Sequence, residues 1–288
     1  MRPDFTRRRA VVAFASALAL SLLAAPPALA DFIVPKSGGS PNANHIDSLY
    51  KIILYIAAVV FAIVVGTLLY SLFKFRAKRG AVAAQIHGNT QLEISWTIGA
   101  ALILVALTVI TFVKLPSIIS PPNSDATPVL SASTTEPTPP NGNKLTICVQ
   151  GRQYIWRYTY GSGCLKTYFS GKLPYSYTTM VVPKGQTVVL DIQSNDVIHS
   201  WWVPSMGGKV DAVPGYTTYS WFKALHTGFF HGQCAQLCGR DHAAMVAYIR
   251  VVTPAQYKSW LSRQKTSISS ANDEVGQLRQ YLTSTGQL

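Results

Sequence analysis

Charge is what this sequence has least of. Only 13% of its 288 residues are Asp, Glu, Lys or Arg, while 48% are hydrophobic, a balance that an ordinary soluble domain of this length does not show. Acid is scarcer still, with 12 Asp and Glu against 25 Lys and Arg and a formal net charge of +13. Cysteine is limited to 4 positions, which excludes a disulfide-dense secreted scaffold. There is no C-x-x-C-H for a covalently attached c-type haem, and no internal repeat. The basic residues form two knots, one at Arg2, Arg7, Arg8 and Arg9 and one at Lys74, Arg76, Lys78 and Arg79. Neither knot has interleaved aromatics or the length of a nucleic-acid-binding tract. No nucleic-acid partner is expected, and both knots read as membrane-topology signals.

What is present falls into segments. Residues 1–30 have the form of a cleaved signal peptide: "RPDFTRRR", then the apolar "AVVAFASALALSLLA", then "ALA" before Asp31. Within residues 31–115, the uncharged runs Ile52 to Phe73 and Ile94 to Val113 are each long enough to cross a lipid bilayer as a helix. The Lys74–Arg79 knot puts the turn between them on the cytoplasmic side, so both outer ends of the hairpin face the exported side. Residues 116–143, rich in Pro, Ser and Thr, read as a linker. From 144 to 255 short β-branched and aromatic runs such as "YIWRYTY", "QTVVLDI" and "MVAYIRVV" alternate with Gly, Pro, Asn and Asp. That texture predicts a small all-β sandwich or barrel. Residues 256–288 are a polar tail, helical around Tyr257–Arg263.

The chemistry sits in "HGQCAQLCGRDHAAM". Its spacing, Cys234-x3-Cys238-x3-His242-x2-Met245, gathers two thiols, an imidazole and a thioether. Thiolate with thioether suits copper; carboxylates and carbonyls would suit calcium or magnesium, and the zinc-finger layout is absent. A second imidazole, His199 in "NDVIHSWWVP", follows a predicted strand. One His from an earlier strand and the other ligands from a late loop is the layout of a cupredoxin copper site. Cys148 and Cys164 have no such company, and a disulfide and two buried free thiols both stay open for them.

Four motifs in order, "GNTQLEISWTI", "GRQYIWRYTY", "DVIHSWWVPSMGGKVDAVPG" and "GQCAQLCGRDHAAM", behind a two-helix hairpin, resemble subunit 2 of the haem-copper cytochrome c oxidases. The resemblance implies a transmembrane hairpin carrying a cupredoxin-like domain. It also implies a dinuclear CuA centre of two copper ions. Cys234 and Cys238 would bridge both ions, His199 and Met245 complete one, and His242 with the backbone carbonyl of Gln236 complete the other. The implied function is electron transfer from a periplasmic donor, cytochrome c or another, to haem in catalytic subunit 1. Oxygen is reduced there and protons are translocated, with further oxidase subunits around it in a bacterial-type inner membrane. This chain would carry no catalytic site of its own.

Other positions follow from the same resemblance. Glu93 would stand at the mouth of a proton path; an acidic residue favoured at a helix N-terminus is the plainer reading. Tyr154, where relatives have Trp, and Trp156 would take up electrons from the donor. Gln236, Lys209 and Asp211 match the polar network of a magnesium site at the subunit boundary. Relatives usually have Glu at position 236, and Gln lacks the charge a hard cation prefers, which counts against magnesium. Two other functions fit the ligand set: the CuA input subunit of a nitric oxide reductase, and a membrane-anchored copper carrier. Carriers want exposed, exchangeable ligands, whereas Trp201 and Trp202 frame this set.

Overall fold

The structure, a computed structural model, describes residue 34 and residues 36–76, 82, 85, 87–122, 143–161, 164 and 173–287. The signal-peptide segment, Lys78, Arg79 and most of the linker lie outside the described residues. Ser37–Leu288 form one compact unit.

Helix α1 spans Pro41–Lys74 and helix α2 spans Thr90–Ile119. Proline at the first turn suits α1, because that turn has no intrahelical use for the missing N–H. The start of α2 is fixed by Asn89, whose side chain accepts from the Leu92 amide at 3.1 Å. Phe61, Ile63, Leu104 and Val113 are each more than 60% exposed, as lipid-facing side chains would be. Both helices are long and apolar enough to cross a membrane. They also outrun the expected spans of 52–73 and 94–113. At 1.5 Å per residue the 34 residues of α1 reach about 51 Å, well beyond the roughly 30 Å of a bilayer's hydrocarbon. The polar surplus lies at the N-terminal end of α1, where Asn42, Ala43 and Asp47 are buried. Helix α2 runs through Pro116, which sits in its last turn, and ends at Ile119.

That surplus is bolted to the β-domain. Asn42 Nδ2 donates to the Trp221 carbonyl at 2.8 Å, the Lys223 amide donates to Ser40 Oγ at 3.1 Å, and Trp221 Nε1 donates to the Ile119 carbonyl at 2.6 Å. Lys114 Nζ reaches Ser48 Oγ at 3.0 Å and joins the two helices to each other.

Among the described residues the β-domain has ten strands: β1 Lys144–Arg152, β2 Ile155–Tyr160, β3 Tyr175–Tyr177, β4 Thr179–Pro183, β5 Thr187–Ser194, β6 His199–Trp202, β7 Val210–Ala212, β8 Thr218–Lys223, β9 Gly228–Cys234 and β10 Val246–Val252. They form two five-stranded sheets, ordered β3-β2-β1-β5-β8 and β4-β10-β9-β6-β7. Period-two alternation sends Trp156, Tyr158 and Tyr160 inward from β2 into one core with Trp201 and Ile249 of the other sheet and Val203 just beyond β6. Tyr158 Oη accepts from Trp201 Nε1 at 3.3 Å and gives this aromatic core one internal polar tie. Cys148 on β1 is joined to Cys164 by a disulfide, which resolves the choice the sequence left open.

Helix α3, Pro254–Ser284, is much longer than the one turn or two expected around Tyr257–Arg263. Thr253 and Gln256 close a capping box at its start. Trp260 then lies edge-on against Tyr160 at 5.0 Å, Gln264 Nε2 donates to the Tyr175 carbonyl at 2.7 Å and Ile268 is buried, so the first half of the helix is held.

Candidate metal centre

The site is assembled by two strand ends and one loop. His199 opens β6 and is fully buried; Cys234 closes β9. The loop between β9 and β10 is pinned at both sides by backbone bonds. Cys234 N donates to the Met245 carbonyl at 2.9 Å, and Ala235 N donates to the Ser200 carbonyl at 2.8 Å. A short helical turn, His242–Ala244, then swings the His242 ring and the Met245 side chain toward the thiols.

The donor atoms converge. The Cys234 and Cys238 sulfurs are 3.8 Å apart, and His199 Nδ1 is 4.0 Å from Cys234 Sγ. His242 Nδ1 is 3.5 Å and Met245 Sδ 3.9 Å from Cys238 Sγ. The Gln236 carbonyl lies 3.3 Å from Cys234 Sγ although its side chain is exposed. Metal–sulfur bonds of about 2.3 Å and metal–nitrogen bonds of about 2.0 Å let two sulfurs on one ion lie up to roughly 4.6 Å apart, and a sulfur and a nitrogen up to roughly 4.3 Å. Each of these neighbouring pairs is within that reach, so the residues fit a thiolate-bridged metal centre.

The electrostatics point the same way. Burial works against the Cys234 thiolate, but His199, the Ser200 and Gln236 backbone and Cys238 outweigh it and bring its pKa below the usual thiol value. Burial, reinforced by the bond to Cys234 and by its charge, pushes Cys238 the other way. The pocket therefore gives up one proton readily and the second reluctantly. Cationic charge between the sulfurs is what would let both ionise.

Three supporting residues escaped the sequence reading as parts of the site. Asp196 Oδ1 meets His199 Nε2 at 2.8 Å, which directs Nδ1 to the thiols. Burial tends to raise the Asp196 pKa, but bonds from Gln153 N, His199 and Val197 N hold it below the usual carboxylate value. The same two neighbours, Cys234 and Asp196, raise the His199 pKa against its burial. Gln153 Nε2 donates to the Cys238 carbonyl at 2.7 Å. Gly151 faces the His199 ring so closely that a Cβ there would come within 2.9 Å of Cδ2. The one advance signal was Asp196 standing three residues before His199 in a turn-rich stretch.

Other expected site residues scatter. Tyr154 is half-buried rather than freely exposed, because its hydroxyl packs on Gly239, where a Cβ would lie 2.6 Å from it. Gly239 has φ +128, a conformation that itself asks for glycine. Trp156 is completely buried, edge-on to His199 with ring centroids 5.8 Å apart, so it offers a donor no surface. Its side of β2 faces the core. Lys209 and Asp211 are exposed, with Asp211 paired across to Ser200 on β6, one residue from His199. Glu93 lies in the first turn of α2, where Oε1 accepts from Asn89 N at 3.4 Å, the geometry of a helix cap.

Residues 145–252 match the family described as cytochrome c oxidase subunit II, periplasmic domain, and residues 30–113 match the one described as its transmembrane domain. Over 267 residues the chain is 32% identical to cytochrome c oxidase subunit 2 of Cereibacter sphaeroides, covering 80% of this chain and 82% of that protein. It is 30% identical over 238 residues to cytochrome c oxidase subunit 2 of Alkalihalophilus pseudofirmus, covering 82% of this chain but only 63% of that longer relative. Among solved structures, the periplasmic domain of cytochrome oxidase subunit II from Bradyrhizobium japonicum is 33% identical, with a TM-score of 0.39 over 44% of this chain and 96% of that one.

Proposed function

The chain belongs to the cytochrome c oxidase subunit II family, the electron-input subunits of haem-copper oxidases, and from that premise we propose how its residues divide the task. It spans an inner membrane twice and holds the β-domain on the outer, periplasmic face. There it accepts electrons from a periplasmic donor and delivers them to haem in the catalytic subunit, which reduces oxygen and translocates protons. This chain contributes no oxygen-reducing group.

His199, Cys234, the Gln236 carbonyl, Cys238, His242 and Met245 would hold two copper ions. A copper pair held there would supply a site that takes up and gives back one electron with a low barrier. The protein's part is rigidity. Backbone bonds from β6 and β10 fix the loop, Asp196 fixes the His199 ring, and Trp156 and Trp201 exclude water. Tyr154, resting on the ligand loop at Gly239, is the outward-facing aromatic through which electrons would arrive. On the other side of the membrane Glu93 would admit protons toward the partner. Gln236, Lys209 and Asp211 would form a polar boundary with that partner, with magnesium disfavoured by the missing carboxylate.

One observation carries the reading: the Cys234 and Cys238 sulfurs lie 3.8 Å apart with His199, His242 and Met245 donor atoms each within 4.0 Å of one of them, and His199, Cys234, Cys238 and Met245 are each less than 5% exposed. Burial of that degree disfavours a copper carrier, whose ligands must exchange. Metal analysis with paramagnetic resonance of the copper-loaded chain tests it. Two coppers per chain with one electron shared between them is the expected result; a single exchangeable Cu(I) would mean a carrier.

A further inference from the structure

Beside the metal centre a pocket of about 330 Å³ opens, lined by Gln150, Arg152, Ile155, Arg157, Tyr177 and Asn195. Strand alternation explains it. Trp156 and Tyr158 turn inward, so Ile155 and Arg157 turn outward, and the register sets Gln150 across from Arg157 and Arg152 across from Ile155. Two features mark it as more than a surface dent. Gln150 is only 2% exposed, yet its Nε2 has no hydrogen-bond partner, and Arg157 Nε is likewise buried and unpartnered. Buried donors are nearly always paired, so both await an acceptor. The Arg157 guanidinium lies over the Tyr175 ring at 4.4 Å, which holds it in place without satisfying its N–H groups.

The pocket is also short of negative charge. Among the described residues no carboxylate forms an ion pair with Arg152 or Arg157. Asp196, next to Asn195, is already engaged with Gln153 N and Val197 N, each at 2.7 Å, and with His199 Nε2 at 2.8 Å. From Lys144 to Thr253 the chain carries ten Lys and Arg against Asp191, Asp196, Asp211 and Asp241. Arg152 immediately precedes Gln153 and Tyr154, the residues that touch Cys238 and Gly239. Whatever fills the pocket therefore sits beside the aromatic that covers the ligand loop.

Resting on the electron-transfer reading above, we propose that this pocket is a carboxylate socket for the electron donor. An Asp or Glu of a redox protein with an acidic surface seats between Arg152 and Arg157 and accepts from the guanidiniums and from Gln150 Nε2. Arginine's planar fork suits a carboxylate taken up in this way. The seated carboxylate orients the donor over Tyr154.

The test uses the assembled oxidase and two small c-type cytochromes, one acidic and one basic, measured for binding and for reduction rate across a salt series. A neutral small-molecule reductant serves as the control that needs no docking. Arg152→Gln, on an exposed side chain, should weaken binding of the acidic cytochrome about fivefold to tenfold at low salt and flatten its salt dependence, with the basic one unaffected or improved. Gln150→Leu should weaken it less without changing charge. Reduction by the small molecule should be unchanged in both variants. If the acidic cytochrome binds both variants as it binds the unaltered oxidase, the proposal is wrong. It is equally wrong if inorganic phosphate at constant ionic strength fills the pocket without competing with the cytochrome, since the socket would then serve a free anion. Failure of the copper reading looks different, because reduction by the small molecule would then yield no copper signal at all.

Discussion

Two cysteine pairs lie in one small β-domain, both buried, and they have opposite fates. Cys148 on β1 is bonded to Cys164, while Cys234 and Cys238 stay free with their sulfurs 3.8 Å apart. Burial and compartment are shared, so neither decides the outcome. Company does. Around the free pair stand His199, His242, Met245 and the Gln236 carbonyl, each within 4.0 Å of a sulfur. The backbone bonds from Cys234 to Met245 and from Ala235 to Ser200 fix where the loop leaves and rejoins the sheet. One pair closes a stretch of chain; the other presents ligands.

The comparison breaks most visibly at the ligand pair. Cys234→Ser or Cys238→Ser should abolish the shared-electron signal and remove at least one copper, because a hydroxyl is too hard and too weakly acidic to bridge. Metal analysis and paramagnetic resonance read this directly. Cys148→Ser should do the reverse, with copper content and spectrum intact and stability reduced. Its bridge spans 16 residues, which puts the loss at about 3 kcal/mol, or on the order of 10 °C in thermal midpoint for a domain of this size. Loss of copper in Cys148→Ser would show that the two pairs act as one unit.

Asp196→Asn is a smaller perturbation that sharpens the same contrast. It removes the charge behind His199 while leaving an oxygen that can still accept. Carboxylates in this position affect metal affinity by roughly 10- to 100-fold, so copper should bind more weakly by about that factor. A competition titration with a copper chelator measures it, and unchanged affinity would reduce Asp196 to a turn residue.

How much of this was legible beforehand depended on sequence distance. Cys234, Cys238, His242 and Met245 fall within twelve residues, so their spacing alone pointed to a cluster of soft donors. The spanning parts of α1 and α2 were equally plain, because lipid asks only for an uncharged run. Their exported ends were not. Ser40 and Asn42 look like loop residues until Lys223 N and the Trp221 carbonyl, 183 and 179 residues away, become their partners. Gln150 and Arg157 were invisible as a pocket for the same reason, since only the β1–β2 register sets them opposite one another. The length of α3 was missed because a polar helix lacks an apolar stripe. Its signature was the Thr253–Gln256 capping box and a sequence free of Pro and nearly free of Gly beyond it.

The smallest expected effect falls on Met245, and it separates holding a metal from tuning it. The side chain is 1% exposed with Sδ 3.9 Å from Cys238 Sγ, a position from which it can ligate. Its backbone does different work. Met245 N donates to the His242 carbonyl at 3.2 Å, and the Met245 carbonyl accepts from Cys234 N at 2.9 Å. Those bonds survive any side-chain change that keeps the loop packed. Leucine is close to methionine in volume, so Met245→Leu should cost less than about 1.5 kcal/mol of stability. A thioether is a weak ligand beside two thiolates and two imidazoles, so both coppers should remain. What should move is the reduction potential, because the weakest ligand of a copper site is the one that adjusts it. The expected pattern is therefore two coppers, a near-unchanged thermal midpoint and a shifted potential, read by metal analysis, melting and redox titration on one preparation. Retention of the potential would leave Met245 a packing residue; loss of one copper would place it among the groups that hold the centre together.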